Sequence, residues 1–393
     1  MFARRNEAID MLRGLTMLLM VFVNDFWTVL GVPHFLEHFD RLEDGMGVSD
    51  IVFPMFLFAM GMSIPYAVER RFSKGFSGES TLSHILSRML SLLLMGAFIV
   101  NTESAFTTTP GYGENVYCLL MVAAFFLVWN TYKEGMKARK WLQGLGIAIL
   151  AFLALTYRTP EGGYFSAKWW GILGLIGWAY CFTAVTYLLA RRKPGRIAVL
   201  WLVLCLVNLL MTRMRGGAEL IHGPSLISDF ANALKIGSAS NVIMATGGML
   251  LSLAEIRSSS CKTSFRIVGA IALSAALAAA AALTHRWWII SKLAGTLPWC
   301  LYVSSISVAV YTILRVLEAS GKTAWFRPVK VSGTATLSVY MMPYILYSIL
   351  SICGIHTFSY LGGILGLLKC ALFSLLCVGL TSLLVKAGIK LKI

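Results

Sequence analysis

The chain has 393 residues, of which 58% are hydrophobic and only 13% charged, with 34 Lys+Arg against 18 Asp+Glu. Soluble proteins carry roughly 25% charged residues, and a mean hydropathy of +0.74 leaves too little polar surface to cover soluble domains. A net charge of +16 would suit a nucleic-acid binder, but the basic residues sit in short clusters between apolar blocks, which argues against nucleic acid and for the lipid bilayer as partner.

In chain order, the first apolar block covers 9–30 and follows Arg4 and Arg5. It is too long for a signal-peptide core and no small-residue cleavage site follows it, so it reads as a retained first span. Further blocks fall at 50–68, 83–100, 115–131, 141–157, 169–190, 196–211, 237–254, 265–283, 298–317, 334–353 and 362–386, which makes twelve candidate spans. Each is predicted to be helix, because backbone polar groups in hydrocarbon must be satisfied within the segment. The block at 196–211 is the shortest and also fits a re-entrant segment. With the N-terminus in the cytoplasm, the inner segments hold 22 Lys+Arg and the outer ones 8. That positive-inside bias supports an even number of spans with both termini inside. No internal repeat or long central loop divides the chain. The expectation is one all-α transmembrane domain over 1–393, a polytopic bundle of about 11–12 helices, with no soluble module at either end. The eight cysteines lie in or beside apolar blocks without metal-ligand spacing, so they read as packing residues and imply no disulfide framework or zinc site.

Polar residues are costly in such a chain, so their placement is informative. The first sixty residues concentrate them. Asp10 and Arg13 share a helix face near the inner end of the first span, as an anchoring ion pair or as part of a site. Asn24 and Asp25 lie near its outer end. A short outer loop then carries His34, Glu37, His38, Asp40, Glu43 and Asp44, and Asp50 opens the second span, both as a candidate helix N-cap and as a candidate functional carboxylate. His34 and His38 are four residues apart, but no third ligand stands at a recognisable spacing, so no metal is expected. Of six histidines only His84 falls inside; His34, His38, His222, His285 and His356 fall on the outer side, where an imidazole can take a proton from an amine or hydroxyl.

Four stretches resemble a known family: the first span from Arg5 through Asp10-Met-Leu-Arg13-Gly14 to Asn24; the loop and second span from Pro33 to Pro65 with its run Asp50-Ile-Val-Phe-Pro54; and, later, Ile290–Trp299 and Gly333–Tyr340. The family is that of heparan-alpha-glucosaminide N-acetyltransferase and its bacterial relatives. The resemblance implies a multi-pass enzyme of the plasma (bacterial inner) membrane that moves an acetyl group from cytosolic acetyl-CoA to the amine of a glucosamine-like hexosamine or glycan on the far side, with a homodimer as a further expectation. The family's essential histidine precedes the Asp-(hydrophobic)-Phe-Pro run, which places it on His38; the loop is about two residues longer than the eukaryotic pattern, so His34 stays in play. Its asparagine at the end of the first span falls on Asn24. Relatives with an Arg in the fourth span are not matched here, where Tyr117-Cys118-Leu119 stands, and the family's usual eleven spans are one fewer than the blocks above.

On that resemblance His38 is the general base or acyl carrier, Asp50 orients it, and Asn24 donates to the oxyanion. Arg13, Arg88 and Arg315 near inner span ends are candidates for the acetyl-CoA phosphates, although each also fits simple snorkelling. Lys292, Trp299 and His34 are candidates for the acceptor site, with Trp287 and Trp288 close by. Two other functions compete. A secondary transporter fits twelve spans but lacks a visible half-to-half repeat or paired broken spans. A polysaccharide O-acetyltransferase shares Asp10-Met-Leu-Arg13-Gly14 but usually places a histidine where Asn24-Asp25 stands.

Overall fold

The computed structural model describes residues 6–109, 111–190, 193–217, 237–355 and 361–393. Arg4, Arg5, Arg191, Arg192, Lys235, His222 and His356, which entered the charge and histidine patterns above, lie outside the described residues. Among the described residues there are thirteen α-helices: α1 (Glu7–Asn24), α2 (Val48–Ser73), α3 (Gly78–Val100), α4 (Glu114–Trp129), α5 (Arg139–Thr156), α6 (Gly171–Leu189), α7 (Pro194–Met211), α8 (Ser240–Arg257), α9 (Thr263–Thr284), α10 (Leu297–Ala319), α11 (Lys330–Thr334), α12 (Thr336–Ile352) and α13 (Gly363–Lys386). Twelve of them coincide with the twelve apolar blocks, and α11 is a single extra turn. The protein is an all-α, multi-pass membrane protein.

Eight helices (α2, α3, α5, α6, α7, α9, α10 and α13) are long and apolar enough to cross a bilayer by length and composition, whereas α4 and α12 are shorter apolar helices. α1 holds Glu7, Asp10 and Arg13 within its 18 residues, which dilutes its hydropathy. The block at 196–211 forms one uninterrupted helix of 18 residues from Pro194, whose missing N–H costs nothing in the first turn.

Contacts divide the chain into two compact units: one of 1–16, 33–86 and 178–327, the other of 17–32, 87–177 and 328–393. The first unit is organised by α2 and α8, which touch backbone to backbone. A Cβ added at Gly61 would stand 1.8 Å from the Ala245 carbonyl oxygen, and one at Gly248 would stand 2.0 Å from that of Phe58. Glycines at these two places let the helices close, as small residues do where apolar burial alone cannot drive association in lipid. Ser252 Oγ donates to the Met62 carbonyl at 2.7 Å beside the same seam. α7 joins through Trp201, whose indole N–H donates to Ile243 O at 3.1 Å, and Ser274 of α9 and Ser305 of α10 exchange hydroxyl and carbonyl contacts at 2.8–3.1 Å.

The second unit carries a two-residue antiparallel pair, β1 (Thr107–Thr108) with β2 (Tyr157–Arg158), in the register Thr107 opposite Arg158. Phe106, Tyr117 and Tyr157 cluster beneath it with ring centroids 4.9–6.1 Å apart. In this unit Asp25, just past the end of α1, is fully buried. Lys369 of α13 holds its carboxylate at 3.0 Å, and the Tyr347 hydroxyl of α12 donates to it as well.

Candidate active site

The site lies in the first unit, in the loop between α1 and α2 and the turn between α9 and α10. α2 begins at Val48, with Gly47 as its N-cap and Asp50 at the third position, where its side chain accepts the Gly47 N–H at 3.1 Å. Asp50 is therefore the carboxylate half of a capping box and not the N-cap itself. The same Oδ2 accepts the Phe39 N–H at 3.1 Å, while Oδ1 lies 2.7 Å from His38 Nδ1. Asp50 is 0% exposed, yet both oxygens are satisfied, which is the condition for burying a carboxylate. The cap that starts the helix is also the group that orients the imidazole.

The His38 side chain is 50% exposed. An Nδ1–H donated to Asp50 would leave Nε2 with its lone pair, the arrangement a general base needs. Ser49 Oγ donates to Leu36 O at 2.6 Å and ties the loop to the helix start. Trp299, in the first turn of α10, is buried and its indole N–H donates to the Asp50 carbonyl at 3.2 Å.

Lys292 stands in the α9–α10 turn with its Nζ 3.1 Å from His38 Nδ1, 3.7 Å from Asp50 Oδ1 and 3.5 Å from Ser49 O. Burial outweighs the attraction of Asp50 and holds its ammonium below the usual lysine range. The turn that presents it is locked from within. Thr296 N–H reaches Ser291 O at 3.1 Å, Gly295 N–H reaches Lys292 O at 3.0 Å, and Ser291 N–H reaches Thr296 Oγ1 at 3.1 Å. From below, the buried Asn208 amide of α7 donates to the Gly295 and Ser238 carbonyls at 2.7 and 2.6 Å.

Asp44 clips this turn to the outer loop. It meets Arg215 at 2.6 Å, His285 Nε2 at 2.8 Å and the Ile290 N–H at 2.8 Å. Burial opposes its charge, but the Ile290 N–H, His285 and Arg215 together hold the carboxyl below the ordinary aspartate range. The sequence reading placed Asp44 and His285 on one side of the membrane without linking them. Two hundred and forty-one residues separate the pair, and nothing local in the sequence joins them.

His34 is the other loop histidine. It pairs with Glu43 at 2.7 Å and stacks on Phe39 at 4.2 Å between ring centroids, so the two histidines serve different carboxylates. No group of three His, Cys, Asp or Glu able to hold a metal occurs among the described residues.

The remaining candidates stand on other elements. Asn24, the last residue of α1, is exposed and belongs to the second unit, as does Arg88 on α3. Arg13 pairs with Asp10 at 3.7 Å across one helix turn. Arg315 is gripped by Glu255 at 3.4 Å and by Glu318, beside Tyr311, whose hydroxyl donates to Glu255 at 2.9 Å. Sequence reasoning missed Lys369. Its signal was present: an ammonium inside the apolar run of the 24-residue α13, whose other lysine, Lys386, stands at the helix end.

Residues 5–219 match the family described as "Domain of unknown function (DUF5009)", more than half of the chain. The chain belongs to that family. Among curated proteins, it is 35% identical to mouse heparan-alpha-glucosaminide N-acetyltransferase over 188 residues, 41% of this chain and 27% of the mouse protein. It is 34% identical to the human protein of the same name over 101 residues, 25% of this chain and 14% of that protein. The resemblance read from the motifs is borne out, while the chain spans only about a quarter of the length of the mouse relative it matches. Within this DUF5009 member, His38, Asp50, Asn24, Arg13 and Arg88 lie inside the matched residues; Lys292, Trp299 and Arg315 lie beyond them.

Proposed function

We propose that the protein is an acetyl-CoA-dependent N-acetyltransferase of the plasma (bacterial inner) membrane that acetylates a hexosamine amine on the outer side. The observation that carries this reading is the His38–Asp50 pair, 2.7 Å apart, with a buried carboxylate and a half-exposed ring, in a chain similar to N-acetyltransferases of known name. Positive-inside counting puts this loop outside and the arginine-bearing span ends inside.

In the reaction, the sugar nitrogen attacks the thioester carbonyl, the C–S bond breaks, and the coenzyme thiolate leaves. His38 Nε2 takes the proton lost by the nitrogen and passes it to the thiolate, while Asp50 stabilises the imidazolium formed between the two transfers. Asn24 is the proposed oxyanion donor, worth about 3 kcal/mol when preorganised. Arg13 and Arg315 each hold carboxylates, so a phosphate engages them only by displacing Asp10 or sharing the Glu255–Glu318 grip.

Purified protein in vesicles, given radiolabelled acetyl-CoA and glucosamine, is expected to yield labelled N-acetylglucosamine. His38→Ala should lower that rate about 10²- to 10⁴-fold, the usual range for a lost general base, with insertion unchanged. Uptake of unmodified sugar without acetylation, or full turnover by His38→Ala, would overturn the reading. Asn24→Ala should lower kcat more than it raises the KM for acetyl-CoA.

A further inference from the structure

Three atoms compete at one end of the His38 ring. Nδ1 lies 2.7 Å from Asp50 Oδ1 and 3.1 Å from Lys292 Nζ. A lysine ammonium donates and cannot accept, so Nδ1 either gives its proton to Asp50 or receives one from Lys292, not both. The shorter contact and the buried carboxylate's need for donors favour the first arrangement. Lys292 then turns its protons to Ser49 O and Asp50 Oδ1, at 3.5 and 3.7 Å, and its charge stays beside the ring.

That position has an electrostatic consequence. A cation within about 4 Å disfavours a second positive charge on the imidazole, whereas Asp50 favours it. Few other charges face the ring. From α2 it meets Asp50; from its own loop Glu43 is taken up by His34; from the α9–α10 turn it meets Lys292; and Asp44 is taken up by Arg215 and His285. Lys292 is the one cation among these described groups that faces His38 directly. Its side chain is only 19% exposed, and the turn bearing it is braced by Ser291, Thr296 and Asn208, so its charge is held in place instead of swinging into solvent.

We propose that Lys292 is a positioning residue that acts through His38: its fixed ammonium offsets Asp50 and keeps the imidazole in the neutral, proton-accepting form at physiological pH. This rests on the acetyltransferase reading for its purpose but not for its test. Lys292 acts on the base through its contacts with His38 Nδ1 and Asp50.

The test reads the ring directly. Diethyl pyrocarbonate reacts with imidazole only in its neutral form, so the rate of carbethoxylation at the His38 ring against pH, followed by site-resolved mass spectrometry of its peptide in the full-length detergent-solubilised protein, gives the midpoint of its titration. Lys292→Met and Lys292→Gln should each move that midpoint up by about one pH unit, and Lys292→Arg should leave it near the wild-type value. The glutamine variant keeps a hydrogen-bond donor toward Asp50 and guards against misfolding of the methionine variant. Unmoved midpoints in both neutral variants, or an equal shift in Lys292→Arg, would overturn the proposal. A merely structural lysine would lower the rate at every pH without moving the midpoint. If the wild type transfers no acetyl group, the enzymatic reading fails while these midpoints still decide the role of Lys292.

Discussion

Each of the two units buries an aspartate against a lysine, and the two arrangements differ in what else reaches the carboxylate. Asp50 and Asp25 are both 0% exposed, and Lys292 and Lys369 are 19% and 16% exposed. Around Asp25 the third partner is Tyr347, stacked on Phe373 at 5.0 Å and sealed among α1, α12 and α13. Around Asp50 the third partner is His38, half open to solvent. One cluster closes a charge inside the bundle; the other extends a charge, through a titratable ring, to the surface. Burial and pairing alone therefore do not mark a reactive site. Access through a group able to exchange protons does.

The contrast can be broken most strongly at Lys369. Lys369→Met leaves the Asp25 carboxylate buried without its cation, which costs about 3–5 kcal/mol. Thermal unfolding in detergent should show a large loss, mostly recovered when Asp25→Asn is added. If the single variant melts like the wild type, the sealed cluster does not hold the second unit together as argued.

Next in size is the α2–α8 seam of the first unit. Gly61→Val would drive a branched side chain into the Ala245 carbonyl, a backbone atom that cannot swing aside. Overpacking of this kind costs about 1–3 kcal/mol. Because α2 also carries Asp50, the variant should disturb the His38–Asp50 contact as well as stability. Melting temperature and His38 reactivity should fall together, and a change in one without the other would separate the scaffold from the site.

A smaller effect concerns Asp44. Its carboxyl is held below the ordinary aspartate range, so its contribution is present above the unfolded value near 3.8 and is lost as pH falls through the folded value. Only as the pH falls below 3.8, through the lowered folded value, should the clip on the Ile290 N–H loosen. Hydrogen exchange at Ile290 and Gly45, corrected for the intrinsic rate, is expected to stay slow at about pH 5 and to accelerate only below the ordinary aspartate value, whereas Asp44→Asn should already exchange fast at about pH 5.

Much of this was legible before any coordinates. Apolar blocks separated by basic clusters located the long helices because hydrocarbon enforces internal hydrogen bonding, and twelve blocks became twelve helices. Asp10 and Arg13 pair because a three-residue spacing fixes their face. The Asp50–His38 link was legible only through resemblance, since the intervening loop has no periodicity to read. Lys292 beside His38 and Asp44 against His285 were not legible, because each contact joins segments about 240–255 residues apart and is set by how α2, α8 and α10 pack. Two glycines, Gly61 and Gly248, settle that packing, and a glycine in an apolar run carries no mark of which backbone it will meet.

The smallest predicted effect separates the two loop histidines. His34 is 58% exposed and its partner Glu43 is 37% exposed, so the pair is worth little; surface ion pairs contribute about 0–1 kcal/mol. His38 binds a carboxylate that four donors surround and that also caps a helix, whereas among the described residues Glu43 accepts from His34 and the Asp40 N–H, the latter at 3.1 Å. A base needs its partner fixed, because the gain from a neighbouring carboxylate depends on holding one tautomer in one orientation. His34→Gln should therefore leave the melting temperature unchanged and reduce acetyl transfer less than about 3-fold, against the 10²-fold or greater loss expected of His38→Ala. Equal losses in the two variants would mean that the buried carboxylate is not what selects the base, and the distinction between the open and the sealed aspartate would lose its chemical meaning.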